Sequence, residues 1–198
     1  MNKITADIAP DFSALDRDLA TLTAGAVGWA RTSNAERIAV LADIKDRLLE
    51  VSEGWAEMAA RRKLIPAGSP LTGEEWISGP YAVMSACNGL MQTLAGMDGK
   101  AFQDHLPKRT TANGQLAVRV LPHSIWDRLL LSGVSADVWM EPGVDEAALP
   151  AQTASAYDTA PDAREGGVAL VLGAGNIASI APLDVFQKAF GEHKVVIL

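Results

Sequence analysis

Residues 168–198 constrain this chain more than any other stretch: an apolar run at 168–172 enters Gly173-Ala174-Gly175-Asn176, and a second apolar run closes the stretch at 195–198. Gly166 and Gly167 precede the first run, and Ser179 and Pro182 mark where a helix can start. Leu183, Phe186 and Phe190 then give that helix an apolar stripe. The pattern predicts a strand, a glycine turn, a helix and a second strand, the usual opening of a nucleotide-binding sheet. A β-α-β unit hides both sheet faces only when further strands and helices cover it. The sequence therefore reads as the front part of a larger nucleotide-dependent enzyme.

Upstream, the first hundred residues are predicted to be helical. Phe12, Leu15, Leu19, Leu22, Ala26 and Trp29 recur at spacings of three and four, which lines them along one face that must pack against something. Ser33 and Glu36 make a capping box opening a second helix, with Ile38, Leu41, Ile44 and Leu48 as its buried stripe and Asp43, Lys45, Asp46 and Arg47 turned to solvent. Gly54 is a place to bend or divide that helix before Trp55 and Met58 continue its apolar face. Pro66 to Pro70 forces a turn, since prolines disfavour helix just before them. Thr72 and Glu75 read as another capping box. The helix that follows carries Val83, Cys87, Leu90, Met91 and Leu94 on one side, with an early kink at Gly79-Pro80.

From Gly99 the pattern changes. Asn113-Gly114 is a turn signal and 116–121 a strand in which Leu116, Val118 and Val120 alternate with polar or small residues. A short helix over 125–131 behind Ser124 and a strand over 136–140 follow. Residues 141–165, rich in Pro, Ala, Asp and Glu, read as a long connection over the surface. The expected fold class is α/β, divided into a helical region with a strand pair and long connection over 1–165 and the start of a nucleotide-binding sheet over 166–198.

The 198 residues have 48% hydrophobic and 21% charged content, which places them with globular chains long enough to bury a core. A net charge of -7, with no basic cluster beyond Arg61-Arg62-Lys63, excludes nucleic acid as an expected partner. The basic triplet fits a solvated helix end, where positive charge complements the helix dipole. Residues 1–11 carry acidic residues and no continuous apolar run, unlike a signal peptide, and no stretch is long and apolar enough to span a bilayer. A single cysteine excludes an intrachain disulfide and fits a reducing compartment, so the expected location is the cytoplasm, with no membrane partner.

The glycine turn admits two readings. Gly173, Gly175 and Ala178 satisfy the G-x-G-x-x-G/A dinucleotide fingerprint, whose glycines let backbone amides approach a pyrophosphate. That geometry starts the helix near Ile177 and puts Pro182 in its second turn, where it removes a donor and clashes with the preceding turn. Starting the helix near Ala181 instead places Pro182 at its first position. The turn is then a loop of several residues, from which Asn176 can point its amide into a site.

On the second reading the chain resembles the aldehyde dehydrogenase superfamily: a strand, a short loop holding an asparagine, a helix, then a strand like Val196-Ile197-Leu198. Trp29 and the run Ser33-Asn34-Ala35-Glu36-Arg37-Ile38-Ala39-Val40-Leu41 are similar to that family in order as well. The resemblance implies the first β-α-β unit of an incomplete Rossmann-like cofactor domain. It implies NAD- or NADP-linked oxidation of an aldehyde, or reduction of an acyl thioester, through a thioester on a cysteine. It gives Asn176 the part of oxyanion-hole donor and places Gly173, Ala174 and Gly175 at the cofactor, with a homo-oligomer as the expected assembly. Ala174-Gly175 stands where the commonest form of this loop has Pro-Trp, a departure that looks more like the acyl-CoA reductase branches. The long connection at 141–165 implies an altered oligomerisation hairpin.

The family's nucleophile and base lie downstream of its second strand, so the chain by itself is expected to be inactive. Cys87 falls on an apolar helix stripe and reads as an inert core residue rather than a substitute nucleophile. His105, His123 and His193 lack metal-site spacing, so no metal is expected. The pairs Asp104-His105 and His123-Ser124 do not make a hydrolase, because sequence neighbours rarely converge on one site. The tryptophans at 29, 55, 76, 126 and 139 read as packing anchors. A third possibility is a non-catalytic interaction module: an incomplete sheet leaves a strand edge and an apolar face exposed, which drives self-association.

Overall fold

The computed structural model describes residues 11–198; apart from Asp11, the segment expected to lack a signal peptide falls outside them. Helix dominates a mixed α/β fold with two small sheets, and the chain gathers into two compact units, each assembled from separate stretches of sequence.

The first unit contains residues up to 32, residues 54–83 and residues 161–198. Its helix α1, Ser13–Ala30, packs against two parallel strands, β4 (Val168–Leu170) and β5 (Val195–Ile197). The apolar stripe expected to be covered along its length is buried only at its end: Ala26 and Ala30 are buried, whereas Phe12, Leu15 and Leu19 are 57%, 47% and 42% exposed. Length explains the difference. Strands of 3 residues span about 10 Å and cannot cover a helix of 18 residues, about 27 Å long.

The end of α1 is fastened to what precedes and follows the strands. Trp29 donates its indole N–H to Ala189 O at 3.0 Å and meets Phe190 edge to face at 5.5 Å. Ala30 O accepts from Nη1 of the buried Arg164 at 3.3 Å, so a guanidinium satisfies a carbonyl that the helix leaves open. Gly166 lies against the same turn with φ 72°; a Cβ there would stand 2.4 Å from Ala26 O.

The C-terminal part of α2 (Asn34–Arg62), from Gly54 onward, belongs to this unit too, and Gly54 does not interrupt the helix. Met58, expected on its apolar face, is 47% exposed; the buried line runs through Ala56 and Ala60. Arg61 and Arg62 form a solvated last turn. The chain turns at Gly68, φ 76°, where Ser69 N donates to Pro66 O at 3.1 Å. The capping box expected at Thr72 does not form in α3, Thr72–Trp76. Glu75 is 3% exposed and takes Lys63 Nζ at 2.7 Å, because a cation at the end of α2 outcompetes a backbone N–H for a buried carboxylate. Pro80 lies within a π-helical turn, Ile77–Tyr81, leading into α4, Ala82–Ala95; the missing N–H loosens the register instead of breaking the helix.

The second unit contains residues 33–53 and 84–160. The predicted box at the start of α2 is formed: Ser33 N donates to Glu36 Oε2 at 2.7 Å and Glu36 N to Ser33 Oγ at 3.2 Å. Arg37, Leu41, Leu48 and Ser52 are its buried line, with Ile38 and Ile44 half-buried. Strands β1 (Lys108–Thr110), β2 (Leu116–Leu121) and β3 (Ala136–Trp139) form an antiparallel sheet in that order, Lys108 opposite Val118 and Ala117 opposite Trp139. Gly114, φ 85°, closes the hairpin at the expected Asn-Gly. Leu116, Val118 and Leu149 make the core, with Leu106 and Met140 against it. The alternation expected along β2 fails at Val120, 39% exposed, because the pairing with β3 shifts between Arg119 and Leu121.

Between β2 and β3 lies α5, Ile125–Leu130, capped reciprocally by Ser124 and Asp127. The connection after β3 contains the short 3-10 turns Leu149–Gln152 and Ser155–Asp158. Lys100 Nζ holds these down, donating to Thr153 O at 2.7 Å and reaching Asp158 Oδ1 at 2.8 Å. Three tryptophans are not packing anchors: Trp76, Trp126 and Trp139 are 42%, 65% and 55% exposed. Among the described residues no helix is long and apolar enough to cross a membrane.

Candidate functional site

The glycine loop lies between β4 and helix α6, Ile180–Phe186. The strand is shorter than the predicted 168–172. Val171 N still donates to Ile197 O at 3.0 Å, but Leu172 is 79% exposed. Beyond it Gly173, Ala174, Gly175 and Asn176 are all exposed. Neither Gly173 nor Gly175 is among the glycines with positive φ. A Cβ on Gly173 would come within 3.3 Å of Ala181 Cβ, a tight but yielding contact, whereas one on Gly175 would meet nothing within 4 Å.

The helix begins at Ile180, three residues beyond the start that a dinucleotide fingerprint requires and one before the expected Ala181. Leu183 N closes the first turn onto Ser179 O at 3.0 Å. Pro182 is thus the third helical residue, still among the N-terminal positions whose N–H has no intrahelical acceptor, and its missing donor costs nothing. The same proline keeps Asn176 to Ser179 out of the helix. Asn176 makes no side-chain hydrogen bond to any other described residue, so its carboxamide is not spent on tying down the loop. Phe186 and Phe190, 5.7 Å apart edge to face, seat the far end of the helix. Two parallel strands and a helix therefore carry an open loop whose amide makes no hydrogen bond to another described residue.

The other candidates are occupied with structure. Cys87 is fully buried, and burial pushes its thiol above the ordinary range, away from nucleophilic use. Ser124 Oγ accepts the Asp127 N–H at 3.1 Å, and Asp127 Oδ2 accepts from Ser124 N at 2.9 Å and from His123 N at 2.8 Å; the Ser124 and then the His123 backbone N–H hold the Asp127 carboxyl below its ordinary value. His105 and His123 are exposed and His193 is buried. Among the described residues no group of three or more His, Cys, Asp or Glu is arranged to hold a metal ion.

A groove of about 590 Å³ lies at the turn between α2 and α3, lined by Glu57, Arg61, Ile65, Gly68, Ser69 and Thr72 among others, and the glycine loop lines no part of it. Sequence reasoning gave this turn a purely structural part. Its only advance signal was the proline pair flanking Gly68. No family model, curated protein or solved structure matches this chain.

Proposed function

We propose that this chain is the N-terminal part of an NAD- or NADP-dependent oxidoreductase of the aldehyde dehydrogenase type, acting on a small aldehyde or acyl thioester, with Asn176 as the oxyanion donor. The observation that carries this reading is an exposed carboxamide with no side-chain hydrogen bond to any other described residue, on a loop that Pro182 holds out of the helix between two parallel strands. As a thiolate adds to a carbonyl, charge grows on oxygen, and a fixed amide donor stabilises that charge by roughly 3 to 4 kcal/mol in a dry site. The open space beside Gly175 suits backbone approach by a dinucleotide, and Gly173 and Ala174 flank it. The cofactor supplies the acceptor or source of hydride. Asn176 orients the carbonyl and holds its developing charge.

The late start of α6 favours this reading over a conventional dinucleotide fingerprint. The two-stranded parallel unit leaves Leu170 65% exposed, which suits a sheet continued by further strands, here assigned to a homo-oligomeric, cytoplasmic enzyme without nucleic-acid or membrane partners. Reading the coding sequence past codon 198 is the direct test. A lysine codon next, completing the Val-Val-Leu-Lys strand of the family that Val196-Ile197-Leu198 resembles, and a cysteine well downstream support the assignment, and in that longer protein Asn176→Ala lowers kcat by roughly 10²- to 10³-fold. A stop codon after Leu198 ends the enzymatic reading and leaves the interaction module.

A further inference from the structure

The basic triplet that ends α2 is divided in the folded chain. Lys63 is spent on the buried Glu75, 2.7 Å away, and this ion pair ties the end of α2 to α3 across the turn at 64–71. Arg61 is not spent. Glu57 precedes it by four residues, the spacing at which Asp43 and Arg47 earlier in the same helix pair at 2.8 Å, yet Glu57 and Arg61 make no ion pair with each other or with any other described residue. Both line the groove of about 590 Å³ at this turn, a size within the range of roughly 300 to 1,000 Å³ of small-molecule sites.

The groove stands formed by the chain's own bonds. Ile65 N donates to Ala60 O at 3.0 Å and Leu64 N to Arg61 O at 3.1 Å, closing the helix with Leu64 in the left-handed region at φ 59° and satisfying carbonyls that would otherwise repel an anion. Ile65 and Pro66 supply an apolar wall. From the loop, the backbone N–H groups of Ala67 and Gly68 and the hydroxyls of Ser69 and Thr72 donate to no described residue; Ser69 Oγ only accepts, from Leu71 N at 3.3 Å. The lining therefore holds a guanidinium, two amides and two hydroxyls as open donors, against the single carboxylate of Glu57.

We infer that this groove binds the phosphate monoester of a small polyol, of sugar-phosphate size, with Arg61 on the phosphate and Glu57 accepting from a hydroxyl. A guanidinium meets two phosphate oxygens at once, and the third oxygen, in its tetrahedral spread, is left for loop amides and hydroxyls, a division that a planar carboxylate with two oxygens does not offer. Glu57 sets the selectivity: its charge repels a bare phosphate ion, and a hydroxyl hydrogen-bonded to it offsets that repulsion. The net charge of -7 disfavours anions over the rest of the surface, so anion binding here needs a site built for it. The glycine loop lines no part of this groove, and the inference does not rest on the part assigned to Asn176, which stands whether or not the groove takes a phosphate.

Isothermal titration of the 198-residue chain with ribose 5-phosphate, inorganic phosphate and ribose tests the site. Ribose 5-phosphate should bind, inorganic phosphate roughly tenfold more weakly, and ribose not measurably. Arg61→Gln should weaken ribose 5-phosphate roughly tenfold or more and Arg61→Lys should recover only part of that loss, since an ammonium keeps the charge without the fork. Glu57→Gln should narrow the gap between ribose 5-phosphate and inorganic phosphate, and Arg62→Gln, outside the lining, should change neither. Glu57, Arg61 and Arg62 are exposed, so each variant should keep the parent melting temperature in the absence of ligand. No binding of ribose 5-phosphate up to about 10 mM overturns the proposal, as does binding that Arg61→Gln leaves unchanged or ribose that binds as tightly as its phosphate.

Discussion

Gly166 adopts φ 72° directly beneath Ala26 O, and both its conformation and its space exclude a side chain. Gly166→Ala should lower stability by about 2 kcal/mol or more, read as a fall in melting temperature, while Gly175→Ala should leave it within about 0.5 kcal/mol. Equal effects at the two positions would contradict the packing described. The sequence marked Gly166 only as preceding a strand and Gly175 as part of a cofactor-binding turn; which of the two is compressed depends on a helix more than a hundred residues away. Asn176→Ala should likewise leave the melting temperature unchanged, since the side chain makes no hydrogen bond to any other described residue. Glu75 shows the opposite lesson. Its spacing from Thr72 was that of a capping box, but a buried carboxylate follows the nearest cation, and the prolines that announce the turn between them do not announce that Lys63 meets Glu75 across it.

At the scale of elements, helices were the most legible because their signals lie within a few residues: the Ser33-Glu36 box and the Pro182 position both act locally. Strand 3-10 turns and edges were less so. The connection after β3 read as a long segment over the surface, yet Leu149 is 2% exposed and Lys100 donates to carbonyls of Pro150 and Thr153. Lys100→Met should cost about 2 kcal/mol and make the 149–158 segment the first site of limited proteolysis, because two carbonyls and a carboxylate lose one shared donor. Cleavage no faster than in the parent would show that the segment is held otherwise. Asp137 sets a pH dependence in the sheet. Hydrogen bonds from Arg119 and then Arg109 hold its carboxyl below the ordinary 3.8, so its contribution is complete above that value and is lost as pH falls through the lowered one. Asp137→Asn should therefore flatten part of the decline in melting temperature below about pH 4. A decline identical to the parent's would remove Asp137 from the acid response.

For the whole molecule, the two compact units join stretches that are distant in sequence: the end of α1 lies with the strands at 168–170 and 195–197, and the start of α2 with residues 84–160. The sequence by itself determined the main helices and the strands at 116–121, 168–170 and 195–197, the caps at Ser33 and Ser124, the proline and glycine turns, and an asparagine-bearing loop held out of the helix, since each of these is decided by residues within one or two turns of one another. Only the tertiary structure decided which apolar faces are covered. The stripe of α1 is buried at one end because three-residue strands cannot reach the other, and the face of α5 is left open with nothing of its own unit upon it. Periodicity marks a face as apolar; burial depends on whether a surface of matching length is brought to it, a property of distant segments meeting.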